Sequence, residues 1–342
     1  MEATVRALLA ALIFSAPGFT VAHHSPFIYF DPSQTVEAEG EVTAVNWRNP
    51  HATFELTADG VSWEVEANSV SILRRMDLDA DSVQVGDVVT VAGWPPKDGG
   101  TKIFLTNMLI EGRSEVILWP GSPPRWQPGD TAGSSAVWLA SESDFTDEAA
   151  PEDIFHVWST SLAGGPDAMV FEGAVFPLTE SAQAARAGYD LYTNPIIGTC
   201  TAKGMPTIME QPYPMEFVQG DGVIHIRLEE GDTVREIRMD AELAGVEPSL
   251  LGTSVGRWEG DTLVVETTGS TWPYTDMTGV PNSVESVFVE RFTPSSDGRR
   301  LDYEMTAINP EIFTEPVTFN KFWLWIPGAT VEPYECLAEA SP

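Results

Sequence analysis

Basic residues are scarce in this chain of 342 residues, which has 18 Lys and Arg against 51 Asp and Glu and a formal net charge of −33. A protein this acidic repels nucleic-acid phosphates and anionic lipid head groups. The composition therefore argues against a nucleic-acid partner, and the excess carboxylates are interpreted as a solvated surface. Hydrophobic residues make up 43% of the chain, which is typical of a folded globular protein.

Long hydrophobic runs are also missing. The apolar run from Ala7 to Phe14 is too short to cross a bilayer. It is followed by helix breakers and by the small-x-small sequence Thr20-Val21-Ala22, so residues 1–22 are predicted to be a signal peptide cleaved before His23. An uncut membrane anchor is the alternative. We expect a periplasmic or secreted protein with no integral membrane segment in its mature chain.

The chain has only two cysteines, Cys200 and Cys336. An even pair in an exported chain predicts one disulfide. No Cys-x-x-Cys motif is present, and the sequence contains no phosphate-binding loop, dinucleotide fingerprint or nucleophile elbow. These absences leave no motif that assigns a reaction to the chain.

Turn signals and alternating apolar residues predict an all-β fold of two domains. Over residues 23–117 the pattern is three strands, a short helix capped by Ser69 and two more strands, which is the order expected of an OB-like small barrel. Residues 118–150 are rich in Pro, Ser and acidic residues and are predicted to form a linker. Residues 151–342 are predicted to form a larger antiparallel barrel, lipocalin-like or clamshell in shape, whose last strand covers 331–336.

Several short motifs resemble known sequences. His23-His24-Ser25, Asn49-Pro50-His51 and the segment 86–93 resemble a bacterial family of exported proteins of unknown function with an N-terminal His-His-Ser. The Gly-Arg-Trp-Glu-Gly-Asp-Thr sequence at 256–262 is similar to a β-rich region of larger uncharacterised bacterial proteins. That region often has Gly-His-Ser before the motif, where this chain has Thr253 in place of the histidine. The resemblance implies a secreted β protein and no particular chemistry.

Histidine is rare, and three of the five histidines, His23, His24 and His51, lie in the first 51 residues. Cleavage before His23 would create an amine that can chelate a metal together with the His23 ring, and His51 would supply an opposing nitrogen. Nitrogen ligands of this kind suit Cu(II), which is the candidate cofactor. His24 is the replacement ligand for His51. The alternative is a frayed terminus and a hydrogen-bonded turn histidine.

Candidate ligand-binding residues in the second domain are Arg257, Trp258, Trp272, Tyr274 and Arg291. The arginines could hold an acidic or hydroxylated ligand at a barrel mouth, and the aromatic residues could line an apolar pocket. The alternatives are a hairpin turn flanked by a surface ion pair, and ordinary core packing.

Candidate acid–base residues are His225, Asp240 and Glu290. His225 alternates with Ile224 and Ile226, so it is expected to face solvent unless the barrel is hollow. Two classes of function stay open. One is a binding or accessory protein for a small apolar or hydroxylated ligand, with copper at its amino terminus. The other is a cofactor-independent isomerase, hydratase or cyclase, which should place acid–base side chains inside the second barrel.

Overall fold

The structure is a computed structural model that describes residues 26–58, 60–145, 148–163, 175–189, 200–243 and 247–336. The predicted signal peptide lies outside the described residues, as do His23 and His24. Within the described ranges, no helix has the length and hydrophobicity needed to cross a membrane.

Five strands close a small barrel in the first domain. They are β1 (Val36–Asn46), β2 (Thr53–Ala58), β3 (Val61–Glu66), β4 (Val88–Trp94) and β5 (Lys102–Ile110). Their order is β3-β2-β1-β4-β5, and parallel pairing of β3 with β5 closes the barrel. The predicted OB-like barrel is confirmed. Two short strands, β6 (Glu115–Ile117) and β7 (Thr131–Ala132), extend the sheet beyond β5.

Local sequence signals explain the connections in this barrel. Ala58 pairs with Val61 across the β2–β3 hairpin, and Gly60 adopts a φ of 76° there, a conformation that glycine adopts without strain. A short helix, α1 (Pro26–Tyr29), precedes β1 in the chain. Helix α2 (Val70–Arg74) lies between β3 and β4. The Ser69 Oγ accepts a hydrogen bond from the Ile72 N–H at 3.2 Å, which is the predicted N-cap.

Nine strands form the second, nearly closed barrel. They are β8 (Val157–Trp158), β9 (Met215–Gln219), β10 (Val223–Leu228), β11 (Thr233–Met239), β12 (Thr253–Glu259), β13 (Thr262–Thr268), β14 (Val287–Pro294), β15 (Arg300–Ile308) and β16 (Val317–Leu324). Neighbouring strands are antiparallel except β11 and β12, which run parallel. Ser159, directly after β8, exchanges backbone hydrogen bonds with Leu324 at the end of β16. The predicted all-β class with a larger second barrel is confirmed.

Large side chains point into the interior of the second barrel. Phe217, Phe288, Phe292, Tyr303 and Trp323 are each at most 2% exposed and belong to one apolar cluster. A buried 3-10 helix, Thr207–Glu210, adds Ile208 and Met209 to the same cluster. Helix α3 (Glu180–Ala187), capped by Thr179, contributes the buried Ala182.

The two barrels are joined by more than the chain connection. The segment 118–150 contributes Trp138, which is fully buried in the core of the first barrel. The predicted strand over 331–336 is wrong, because these residues form an irregular segment with a single β-bridge at Cys336. The predicted Cys200–Cys336 disulfide is confirmed, with the two Cα atoms 5.6 Å apart.

Candidate functional site

The outer face of the first barrel carries a histidine bonded to a carboxylate. His51 lies just before β2, and Glu66 ends β3. The His51 Nδ1 is hydrogen-bonded to the Glu66 Oε1, and the side chains are 8% and 2% exposed. Because an ionised carboxylate only accepts hydrogen bonds, Nδ1 is the donor in this pair, and Nε2 is the ring nitrogen left for another ligand. This is the arrangement that orients metal-binding histidines in many proteins.

Lys102 completes a charged network around this pair. Its Nζ lies 2.7 Å from a Glu64 carboxylate oxygen and 3.6 Å from a Glu66 oxygen. Burial alone would lower the pKa of Lys102, but Glu66 and Glu64 raise it above its ordinary value. The network of two carboxylates and one ammonium therefore keeps one net negative charge, which favours an added cation.

The backbone on both sides of His51 is fixed. Asn49 is 1% exposed, donates from its Nδ2 to the Ser71 Oγ at 3.2 Å and also to the Tyr334 carbonyl oxygen. On the other side, the Ala52 N–H donates to the Asn68 carbonyl at 3.1 Å. The Asn-Pro-His motif is therefore a rigid loop that presents one imidazole.

An aromatic cluster covers the neighbouring surface. The ring centroid of Phe104 lies 6.1 Å from that of His51, 5.5 Å from Phe30 and 5.4 Å from Trp94. Trp119 packs edge-on against Phe104 at 5.8 Å. Phe30, which is fully buried here, brings the first described residues of the chain beside the histidine.

A groove of about 510 Å³ adjoins the network on the other side. Its lining includes Asn46, Thr53, Glu55, Glu64 and Lys102 from the outer faces of β1, β2, β3 and β5. A ligand in this groove would meet hydroxyl, amide and carboxylate groups. The groove is therefore suited to polar rather than polyanionic molecules.

A second polar group lies inside the second barrel. The Arg235 guanidinium, 1% exposed, forms a bidentate pair with Glu290, which is fully buried; one of the two bonds, from Nη1 to Oε1, measures 2.8 Å. Tyr303 donates to the same Oε1 at 2.8 Å, and Thr267 accepts from Nη2 at 2.7 Å. Burial would lower the pKa of Arg235, but Glu290 raises it, so the guanidinium stays charged. Burial and the Glu290 charge raise the pKa of Tyr303 well above its ordinary value.

Lys321 also points into this barrel, between the inward-facing Phe319 and Trp323 of β16. Its Nζ donates to the Gln211 carbonyl at 2.9 Å and to the Met209 carbonyl at 3.3 Å. Burial lowers the pKa of this amine to about 7, the nearby Glu210 only partly opposing the shift. An amine with such a pKa can exchange a proton at neutral pH.

The predicted ligand-binding residues of the second domain are divided between two places. Arg257 and Arg291 are exposed and donate to the two oxygens of Glu259 at 2.7 and 2.9 Å. Trp258, 42% exposed, lies beside them in the chain and packs against Phe155. These three residues therefore form a surface cluster near the β12–β13 hairpin.

The two remaining predicted residues lie elsewhere. Trp272 is buried and donates to the Thr207 Oγ1 at 2.9 Å. Tyr274 is half-buried and packs against the aromatic cluster beside the first barrel. The structure therefore does not bring the five residues together in one pocket.

The three acid–base candidates are also separated. His225 is 35% exposed on the outer face of β10, 4.0 Å from Glu236. Asp240 is exposed at the end of β11, with a φ of 52°. Glu290 alone lies inside the barrel.

Four residues of these sites were missed by reasoning from sequence: Glu66, Lys102, Arg235 and Lys321. A signal exists for Lys321 directly and for Arg235 through its partner Glu290. Glu290 lies between Phe288 and Phe292, and Lys321 between Phe319 and Trp323, so each occupies an apolar position of a period-2 pattern. A charge at such a position indicates a buried polar network, and an arginine on another inward-facing position is its natural partner. No local signal pairs His51 with Glu66.

Fold and site together define an all-β protein of two barrels with a carboxylate-oriented histidine on the first. Within the described ranges, no group of three or more His, Cys, Asp or Glu is arranged to hold a metal ion, and His23 and His24 lie outside those ranges.

Comparison with known proteins finds a family match for part of the chain and no activity. Residues 11–104 match the model of a family of unknown function (DUF6152), in agreement with the resemblance of the first domain to proteins of unknown function. No curated protein matches the chain. A crystal structure of a ZRD-deleted mutant of TiaS in complex with agmatine is 22% identical over 31% of this chain and 28% of that chain, with a TM-score of 0.21. A likeness this weak carries no argument about fold or ligand.

Proposed function

We propose that this chain is an exported binding or accessory protein that holds one Cu(II) ion on its first barrel through His23 and His51. The observation that carries the proposal is the bond from the His51 Nδ1 to Glu66, which leaves Nε2 as the metal-binding nitrogen. The negative network of Glu64, Glu66 and Lys102 supports a cation at this place. The disulfide is in keeping with an oxidising compartment such as the periplasm or the exterior.

The reach of the amino terminus also supports the proposal. His23 lies three residues before Pro26, a distance that extended chain covers in about 10 Å. Pro26 begins α1, and Phe30 beyond it packs on Phe104, which contacts the His51 ring. The amine and ring of His23 would form one chelate, and His51 would add a third nitrogen, with His24 as the alternative ligand. Copper would supply Lewis acidity or one-electron chemistry when bound.

The first prediction concerns His51. In protein that begins at His23, His51→Ala is expected to weaken Cu(II) binding at least 100-fold, and Glu66→Gln to weaken it 10- to 100-fold, because each removes or misorients one ligand. Affinity should also fall from pH 7.5 to 5.5 as free amines and imidazoles protonate. Competition titrations with a chelator of known affinity measure both effects.

The control is His225→Ala, which removes the other histidine that lies near a glutamate, Glu236 at 4.0 Å, and should leave copper affinity unchanged. Equal affinity in the wild type and His51→Ala would reduce the site to an ordinary peptide terminus. A wild type that binds no tighter than micromolar would remove the copper site altogether.

A small apolar or hydroxylated ligand inside the second barrel is a second candidate function. It is favoured by Trp323, which is fully buried and whose Nε1–H has no hydrogen-bond partner among the described residues. Buried donors are normally satisfied by protein, water or ligand. Lys321, whose ammonium lies 5.1 Å from the Trp323 ring, would meet the same ligand. The alternative of a cofactor-independent isomerase, hydratase or cyclase would use Lys321 and the neighbouring Glu290 network as its acid–base groups.

The second prediction tests for this interior site with the apolar fluorescent probe N-phenyl-1-naphthylamine. The wild type is expected to bind one probe molecule with micromolar affinity. Ala307→Trp fills the interior from β15 and should abolish binding, whereas Ile308→Trp, on the exposed side of the same strand, should not. Circular dichroism checks that both variants remain folded. If the probe does not bind the wild type, or binds both variants equally, the interior is not a ligand site.

A further inference from the structure

The C-terminal segment of the described chain, residues 330–336, lies across the junction of the two barrels. We call this segment the C-terminal strap. Its first part is held by a partly buried ion pair. Arg75 of the first barrel donates to both carboxylate oxygens of Glu229 at 2.7 and 2.6 Å and to the Thr330 carbonyl at 2.9 Å. The Glu332 N–H donates to the same Glu229 carboxylate at 3.0 Å.

The middle of the strap is buried in the first barrel. Tyr334 is 4% exposed and belongs to the core cluster of that barrel. Its N–H donates to Asp232 of the second barrel at 3.1 Å, and its ring packs edge-on against Tyr213 at 5.4 Å. The strap is therefore fixed by contacts to both barrels.

The end of the strap meets the loop that presents His51. The Asn49 Nδ2 donates to the Tyr334 carbonyl oxygen, and Asn49 forms a parallel β-bridge with Cys336. Cys336 is bonded to Cys200, which lies 136 residues earlier. The disulfide therefore links Cys200 to a residue that pairs with Asn49. Asn49 lies two residues before His51, the candidate metal ligand.

We propose that the C-terminal strap, locked by Cys200–Cys336, positions His51 through Asn49, so that the second barrel sets the metal affinity of the first. The inference rests on the proposed copper site. Asn49 is a positioning residue, since its side chain bonds to Ser71 and Tyr334 and its backbone pairs with Cys336. Releasing the strap frees the Asn49 side chain from Tyr334, one of its two partners. This widens the range of orientations open to the His51 imidazole. Loss of an outer-shell contact of this kind typically weakens metal binding 10- to 100-fold.

The test uses three variants of the processed full-length chain. Asn49→Asp keeps the oxygen that accepts from the Ser71 N–H at 3.4 Å but loses the donor to the strap. Cys200→Ser with Cys336→Ser keeps Asn49 and loses the covalent lock. Arg74→Ala removes an exposed strap contact, to Glu335 at 2.6 Å, that does not involve Asn49. Cu(II) affinity is measured by competition, the Cu(II) coordination by electron paramagnetic resonance, and hydrogen exchange of residues 49–52 on copper-free protein.

We expect about tenfold weaker copper binding, an altered resonance spectrum and faster exchange over 49–52 in Asn49→Asp and in the double serine variant, with Arg74→Ala unchanged. A general loss of stability would not change the spectrum of the bound metal. Unchanged affinity and exchange in both variants would overturn the inference while leaving the copper site intact. If the wild type binds no copper, the proposed function fails, and exchange over 49–52 alone decides whether the strap holds the loop.

Discussion

Replacing Cys200 and Cys336 by serine is expected to lower the free energy of unfolding by about 5 kcal/mol. The disulfide joins residues separated by 136 positions. In the chain-entropy model, a cross-link that closes a loop of this length removes about 5 kcal/mol of conformational freedom from the unfolded chain. The loss is a large fraction of the stability of an ordinary domain, which is about 5–15 kcal/mol. Urea titration followed by tryptophan fluorescence measures it.

Wild-type protein treated with a phosphine reductant is the control, and it should unfold at the same urea concentration as the double serine variant. Agreement between the two would show that the loss comes from the cross-link and not from the serine hydroxyls. A difference between oxidised wild type and double variant below about 1 kcal/mol would contradict the prediction.

Glu290→Gln is expected to destabilise the protein by about 3–5 kcal/mol, because it leaves the charge of Arg235 buried without a counter-charge. Arg235 and Glu290 are 1% and 0% exposed, so solvent cannot replace the lost partner. The double variant Arg235→Met with Glu290→Leu removes both charges and should recover at least about 2 kcal/mol of that loss, although the Tyr303 hydroxyl then loses its acceptor.

The matched control is the surface ion pair of Arg227 and Glu216, in which the Arg227 Nη1 lies 2.5 Å from a Glu216 carboxylate oxygen. Arg227→Ala should cost no more than about 1 kcal/mol, since solvent screens a surface pair. Thermal and urea unfolding of the wild type and the three variants measure these differences in stability. If Glu290→Gln is as mild as Arg227→Ala, or if the double variant is less stable than Glu290→Gln, the loss does not come from leaving the Arg235 charge unpaired.

Much of the fold could be predicted from short stretches of sequence. The Ser69 cap, the β2–β3 hairpin and the alternation of Leu301, Tyr303 and Met305 with polar residues act between near neighbours, so they can be recognised without knowing the rest of the chain. The same holds for the disulfide, because a chain with only two cysteines allows only one intramolecular pairing.

Predictions failed where distant segments decide the structure. The segment 331–336 is predicted to be a strand, but the side chains of Glu229, Asp232 and Asn49 form hydrogen bonds to its backbone and hold it as a strap. The parallel pairing of β12 with β11 is likewise invisible locally, because it follows a crossover and not a hairpin.

The sequence by itself determined the acidic character, the all-β class, the order of the two barrels and the covalent link, because composition, periodicity and cysteine number do not depend on how segments meet. Only the tertiary structure decided which charged groups are buried together. Glu66 reaches His51 because β3 returns beside β2, and Arg235 reaches Glu290 across the barrel interior. These two pairs are separated by 15 and 55 residues in the sequence. Each charge requires its partner because it is buried in a low-dielectric interior, and no local sequence pattern encodes that burial.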